Sequence, residues 1–162
     1  MKQRILALSL GLLVGATTSL VVAGPVSASP LSGETRTYAL KVTEAFAVDF
    51  GQSGSTHGDI AVRNGVIRST SGKKLGTWST VQIVVGKDSR GATEDRQVNV
   101  QFTFSGGAVM ATGVVRAPQG GTLVDDQVFA IVGGTGKFAG VMGTMTVSPV
   151  KGPRFTATLA FM

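Results

Sequence analysis

Hydrophobic and polar residues alternate along three long segments of the chain. In the first, Tyr38, Val42 and Phe46 share one parity, and polar residues such as Lys41 and Thr43 stand on the other. The same alternation recurs over residues 97–104 and 154–161. A period of two is typical of a β-strand with one apolar face. No segment after the N-terminal 28 residues shows the spacing of an amphipathic helix at useful length, so the sequence predicts an all-β domain.

Clusters of Gly and Asn separate these apolar segments at short intervals, as in Asn64-Gly65 and Gly106-Gly107. Both residue types tolerate the positive φ that tight hairpin turns need. The pattern predicts seven or eight antiparallel strands, and closing them into a barrel would leave no free edge. A β-sandwich is the alternative. The predicted strands are 37–50, 57–68, 74–86, 95–105, 108–117, 123–132, 142–149 and 153–161.

The N-terminus has the pattern of a secretory signal peptide. Lys2 and Arg4 precede an uncharged apolar run, and small residues before Ala28 suit a signal peptidase. We predict a signal peptide over residues 1–28, a flexible segment over 29–36 and a barrel domain over 37–162. The predicted location is therefore extracytoplasmic, without a stable membrane anchor after cleavage. A membrane anchor is the alternative, since the run is about long enough to span a bilayer.

Composition removes several classes of chemistry. The 162 residues include no Cys and one His, which argues against disulfides, thiolate zinc sites and the common catalytic zinc sets. We therefore expect no metal and no cofactor. The formal net charge is +6, but the basic residues are scattered, without an arginine stripe or interleaved aromatics. Nucleic acid is accordingly not an expected partner.

The most distinctive segment is the glycine-rich stretch 133–140. A phosphate-binding loop would need Gly at position 131 and Ser or Thr at 138, where the chain has Ile131 and Phe138. A dinucleotide fingerprint would need a helix next and a later acidic residue, but β-branched residues follow and no acidic residue occurs after Asp126. The interpretation that remains is a sharp turn or bulge at the rim of a barrel.

This segment also resembles a known family. Residues 125–143, Asp-Asp-Gln-Val-Phe-Ala-Ile-Val-Gly-Gly-Thr-Gly-Lys-Phe-Ala-Gly-Val-Met-Gly, are similar to the signature of the allene oxide cyclase and dirigent superfamily. The segments 58–60, 73–76 and 102–107 look like its second hairpin and central strand. The resemblance implies an eight-stranded barrel around an apolar cavity, often a homotrimer, that works without metal or nucleotide on a hydrophobic small molecule. It assigns a structural role in the loop to Gly133, Gly134, Gly136 and Gly143.

Two carboxylates are the candidate catalytic residues. Glu44 interrupts the apolar face of the first strand, where burial in a cavity would raise its pKa and suit it to proton transfer. The alternative is an exposed Glu beside a bulge. Asp49 stands on the opposite parity near the end of the strand. It is similar to the aspartate that ends the first strand of dirigent proteins. Only one parity faces inward unless a bulge intervenes, so the two candidates compete.

Aromatic residues are the candidate ligand contacts, with simple core packing as the alternative. The candidates are Tyr38, Phe46, Trp78, Phe102 and Phe129. Three functions stay open at this stage: a secreted isomerase, cyclase or dirigent-like protein acting on a lipid-like or polyketide-like substrate, a carrier without chemistry, and a structural barrel filled by side chains.

Overall fold

A computed structural model describes residues 31–51, 54–88 and 90–162. The predicted signal peptide lies outside the described residues. The fold is all-β apart from one short 3-10 helix, η1, at Gly136–Phe138. The strands are β1 Thr35–Val48, β2 Ile60–Arg68, β3 Lys74–Lys87, β4 Thr93–Phe104, β5 Gly107–Pro118, β6 Gln127–Gly134, β7 Gly143–Val150 and β8 Arg154–Phe161.

The eight strands form one closed antiparallel barrel. Each strand pairs with the next along the chain, and β1 pairs with β8 to close the sheet. The prediction of eight antiparallel strands in a barrel is confirmed, and the sandwich is excluded. Closure gives every strand a neighbour on both sides, so the sheet has no edge strand. The turn before β1 joins this closure, since Gly33 N–H donates to the Phe161 carbonyl at 2.9 Å. β1 starts at Thr35, two residues before the predicted start of the domain.

One end of the barrel is filled with side chains. The ring of Phe104 lies 5.3 Å from Tyr38, 5.3 Å from Phe138 and 6.2 Å from Phe102 between centroids. Around this group, Leu159 and other inward residues of β5 to β8 complete the apolar core. This end of the barrel therefore has a solid apolar core. A purely structural barrel would be filled in this way along its whole length.

The glycine-rich segment forms the turn from β6 to β7 at this filled end, as the turn interpretation predicted. Gly133 and Gly134 end β6, η1 contains Gly136, and Gly143 begins β7. Gly136 has φ of +59°, and a side chain there would collide with the carbonyl of Gly106 in the neighbouring hairpin. Only glycine therefore allows the two turns to pack this closely.

A β-bulge divides β1 into two halves. Val42 pairs with Gly65 of β2, but the next pair joins Glu44 to Asn64, so Thr43 has no partner. Residues paired directly across a sheet point to the same face. Ala45 pairs with Arg63, which faces the interior, so the alternation of β1 changes face after Thr43.

Candidate functional site

The other end of the barrel opens into a cavity of about 420 Å³. It lies where β1 and β3 end and where β2 and β4 begin. Short side chains on the inner faces of β1 and β2, Ala45, Ala47 and Ala61, leave the space open. A volume of this size suits a small organic ligand. The polar residues that line it are Asp49, Ser55, Asp59, Arg63, Gln82, Glu94 and Arg96.

A narrower chamber of about 40 Å³ continues inward from this cavity. Arg63 and Gln82 line both spaces, so they stand at the junction. Beyond them the chamber is mostly apolar and reaches the middle of the barrel. Its remaining lining residues are Leu40, Trp78, Thr80, Val98, Val100, Phe102, Val115, Leu123, Phe129, Val147 and Phe155.

A buried ion pair forms one wall of the cavity. Arg96 contacts the Glu94 carboxylate at 2.6 Å through Nε and 2.5 Å through Nη2, and the two side chains are 5% and 2% exposed. Glu94 also accepts a hydrogen bond from the Ser55 hydroxyl. Burial alone would raise the pKa of Glu94, but the hydrogen bonds from Ser55 and Arg96 outweigh it and hold this pKa below its ordinary value. Glu94 is therefore ionised at neutral pH.

Arg96 is held on all sides by acceptors. Nη1 donates to Gln82 Oε1 at 3.2 Å, and Nη2 donates to the Gly121 carbonyl at 2.9 Å. Because its donors are occupied by protein, Arg96 is a fixed charge of the wall.

Arg63 is the contrasting cation. Its side chain makes no hydrogen bond or ion pair with any described residue, although it is half-buried. Desolvation, followed by the nearby positive charge of Arg96, lowers the pKa of Arg63. An arginine lowered in this way is still protonated at neutral pH. The junction of the two spaces therefore carries a guanidinium with unused donors.

The predicted inward position of Glu44 is wrong. The bulge at Thr43 turns Glu44 to the outer face, where it is exposed and accepts a hydrogen bond from Asn64 Nδ2 at 3.0 Å. The alternative, an exposed Glu beside a bulge, is what the structure contains. Asp49 follows the end of β1 and lines the rim of the cavity, where it is exposed. A catalytic role for either carboxylate stays a prediction, and only Asp49 lies at the cavity.

The five aromatic candidates fall into three places. Trp78, Phe102 and Phe129 line the inner chamber together. Tyr38 belongs to the aromatic cluster of the filled end. Phe46 lies after the bulge on the outward parity of β1; its side chain is 52% exposed and contributes to the rim of the cavity.

Sequence reasoning missed the charged residues of the cavity, although β4 carried the signal. Val98, Val100 and Phe102 form its inward face, and continuing the same parity backwards reaches Arg96 and Glu94. Glu94 and Arg96 are charged residues on an otherwise apolar parity, which is the same pattern that makes Glu44 a candidate in β1. Extending the alternation beyond the first apolar residue would have found the pair.

Residues 31–51, 54–88 and 90–162 contain neither a cluster of metal-binding side chains nor a membrane-spanning helix. No three or more His, Asp or Glu side chains within these ranges come together as a metal site. No helix in the same part of the chain is long and apolar enough to cross a membrane.

The barrel fold of this chain is shared with solved proteins. Pyocyanin demethylase superposes with a TM-score of 0.66 and 23% identity, over 80% of this chain and 100% of that chain. The Diels-Alderase AbmU from Streptomyces koyangensis gives a TM-score of 0.59 and 16% identity, over 80% and 69% of the two chains. A pterocarpan synthase dirigent protein gives 0.56 and 12%, over 80% and 84%.

At these identities the likeness establishes the fold. The expectation of a barrel like those of cyclases and dirigent proteins is confirmed at that level. No protein-family model matches the chain, and no curated protein matches its sequence.

Proposed function

We propose that this protein binds a mainly apolar small molecule inside the barrel and promotes its isomerisation or cyclisation without a cofactor. The observation that carries the proposal is the division of the interior into a filled end and an open, charged cavity that continues into an apolar chamber. A barrel that serves only as a scaffold gains nothing from leaving part of its interior unfilled, because unfilled volume costs packing energy.

The chemistry proposed for this cavity is positioning with limited proton transfer. The walls would fold the ligand into a reactive shape and exclude water. Glu94, which replaces Glu44 as the candidate carboxylate, is ionised and can therefore accept a proton but not donate one. Its lowered pKa and its bonds to Arg96 and Ser55 make it a weak base, so positioning of the ligand carries most of the proposed catalysis. The solved barrels of similar fold include a Diels-Alderase and a dirigent protein, which supports a reaction in which the ligand is shaped by its container.

Native mass spectrometry of the protein from its own host tests the proposal. We expect a bound small molecule, and incubation of that molecule or its precursor with ligand-free protein should yield a product of equal mass and different chromatographic retention. Recovery of the ligand unchanged under all conditions would instead identify a carrier. A protein that never holds a ligand would contradict both functions.

A matched pair of variants locates the binding. Ala61→Phe places a ring on the inner face of β2 at the cavity, whereas Thr144→Phe places the same ring on the exposed face of β7. Ligand capture should be lost in the first variant and retained in the second. Retention in both would move the binding site out of the barrel.

A further inference from the structure

The inner chamber has more hydrogen-bond donors than acceptors to match them. Trp78 Nε1 and Thr80 Oγ1 are buried and have no hydrogen-bond partner in the described part of the chain. An indole N–H can only donate. At the junction, Gln82 uses its oxygen to accept from Arg96, so the group that it has left to offer is its NH2. Arg63 adds the donors of a whole guanidinium.

The positive charge of Arg63 is also uncompensated. Among the residues that line the inner chamber, Arg63 alone is charged. The carboxylates of the cavity are engaged elsewhere or lie at its rim. Glu94 is bound to Arg96 and Ser55, and Asp59 accepts backbone N–H donors at the loop before β2. Asp49 is exposed at the outer rim.

Buried donors without acceptors are costly, because each loses its hydrogen bond to water on folding. A ligand group that supplies acceptors in this place would recover that cost. The best match to a guanidinium beside neutral donors is an oxyanion, which accepts several charge-assisted hydrogen bonds at once.

We propose that the ligand of this barrel is an apolar organic anion whose oxyanion is bound by Arg63 at the junction, with Gln82, Thr80 and Trp78 as further donors. This inference rests on the proposed binding function. The volumes are consistent with it. The chamber of about 40 Å³ is too small for the body of a ligand, so that body would lie in the cavity of about 420 Å³, against Ala45, Ala47 and Ala61, with its oxyanion at the junction.

Two fluorescent dyes of similar shape test the charge. Anilinonaphthalene sulfonate carries a sulfonate, and N-phenyl-1-naphthylamine is its neutral counterpart. Trp78 is the single tryptophan of the chain, so energy transfer from tryptophan to dye reports binding near the chamber. The signal should be lost in Ala61→Phe, which fills the cavity and keeps Trp78, so this variant separates binding in the cavity from binding to other apolar surfaces.

The decisive variant is Arg63→Met, with Arg68→Met as its matched control on the opposite, exposed face of β2. Loss of a charge-assisted hydrogen bond predicts that Arg63→Met weakens the sulfonate dye roughly ten- to hundredfold. The neutral dye should bind as it does to the wild type. Arg68→Met removes the same charge and should change neither dye.

The outcomes separate the inference from the function on which it rests. Equal binding of the sulfonate dye to wild type and Arg63→Met, or equal weakening by Arg68→Met, would overturn the anion inference and leave the binding function standing. Absence of energy transfer from Trp78 for both dyes would overturn the binding function itself.

A measurement on the wild-type protein covers the case in which Arg63→Met does not fold. 4-Phenylbutanoate and 4-phenylbutanamide differ only in the charged group. We expect the carboxylate to displace the sulfonate dye at least about tenfold more effectively than the amide. Equal displacement by the two compounds would refute the proposed oxyanion site.

Discussion

Replacing Glu94 with Gln tests whether the buried ion pair stabilises the wall of the cavity. In the wild type, Glu94 and Arg96 are almost fully buried and their closest atoms are 2.5 Å apart. The variant keeps the shape of the side chain but leaves Arg96 with neutral acceptors alone. Breaking a buried pair in this way costs about 3–5 kcal/mol. We take the lower part of that range, about 3 kcal/mol, because Gln82 and Gly121 still accept from Arg96.

Thermal and urea unfolding measure this loss directly. A deficit of about 3 kcal/mol corresponds to a fall in Tm of roughly 10 °C for a domain of this size. Asp95→Asn is the matched control on the same strand, because Asp95 pairs with Arg116 on the solvent-exposed side. We expect little change there, since water screens exposed pairs. The double variant Glu94→Leu/Arg96→Met should lose less stability than the two single losses combined.

The pH dependence of the same comparison follows from the lowered pKa of Glu94. A carboxyl whose pKa is lower in the folded than in the unfolded state contributes stability above its ordinary pKa, and this contribution is lost as the pH falls through the folded-state value. The gap in stability between wild type and Glu94→Gln should therefore be widest near neutrality and narrow below roughly pH 4.3. A Tm of Glu94→Gln within roughly 2 °C of the wild type at neutral pH would refute the reasoning.

Three further predictions concern other parts of the molecule. Gly136→Ala should lower the free energy of unfolding in urea by at least about 1–3 kcal/mol, because residue 136 has positive φ and no room for a side chain beside Gly106. An unchanged free energy of unfolding would contradict that geometry. We predict self-association through the outer wall, where the apolar residues Val81 and Val114 are exposed. Light scattering should then detect an oligomer that Val81→Glu weakens, and a monomeric wild type would count against this prediction. Intact mass of the protein from its host should correspond to cleavage after Ala28, and a retained leader would contradict secretion by this route.

The fold was largely predictable because its signals are local. Alternation in β4 and β8 located the inward faces, and glycine clusters located the hairpins. The predicted strand 123–132 began four residues before β6, since Leu123 and Val124 are apolar although they lie in the preceding loop. Apolar character alone does not distinguish a strand residue from a loop residue that packs against the strand. The predicted start of β6 is therefore too early.

The site was less predictable because the outer wall is also apolar near the cavity. After the bulge, Phe46 and Val48 continue the apolar parity of β1 while pointing outward, so the sequence stays in phase although the inward face has changed. In β2, Val62 and Ile60 on the outer face flank Ala61, and Arg63 interrupts no alternation. Glu44, a polar residue on the apolar parity, marks the bulge at Thr43 in the sequence, but the inward position of Arg63 leaves no mark in the pattern.

The bulge in β1 also determines how much the barrel can contain. Because Thr43 is bulged, the inward residues of the second half of β1 are two alanines, and the bulky Phe46 and Val48 lie outside. If the same residues continued in unbroken alternation, without a bulge, Glu44, Phe46 and Val48 would point into the interior and fill the space. The capacity of this barrel is thus set by the register of one strand, and not only by the size of the side chains on the other strands.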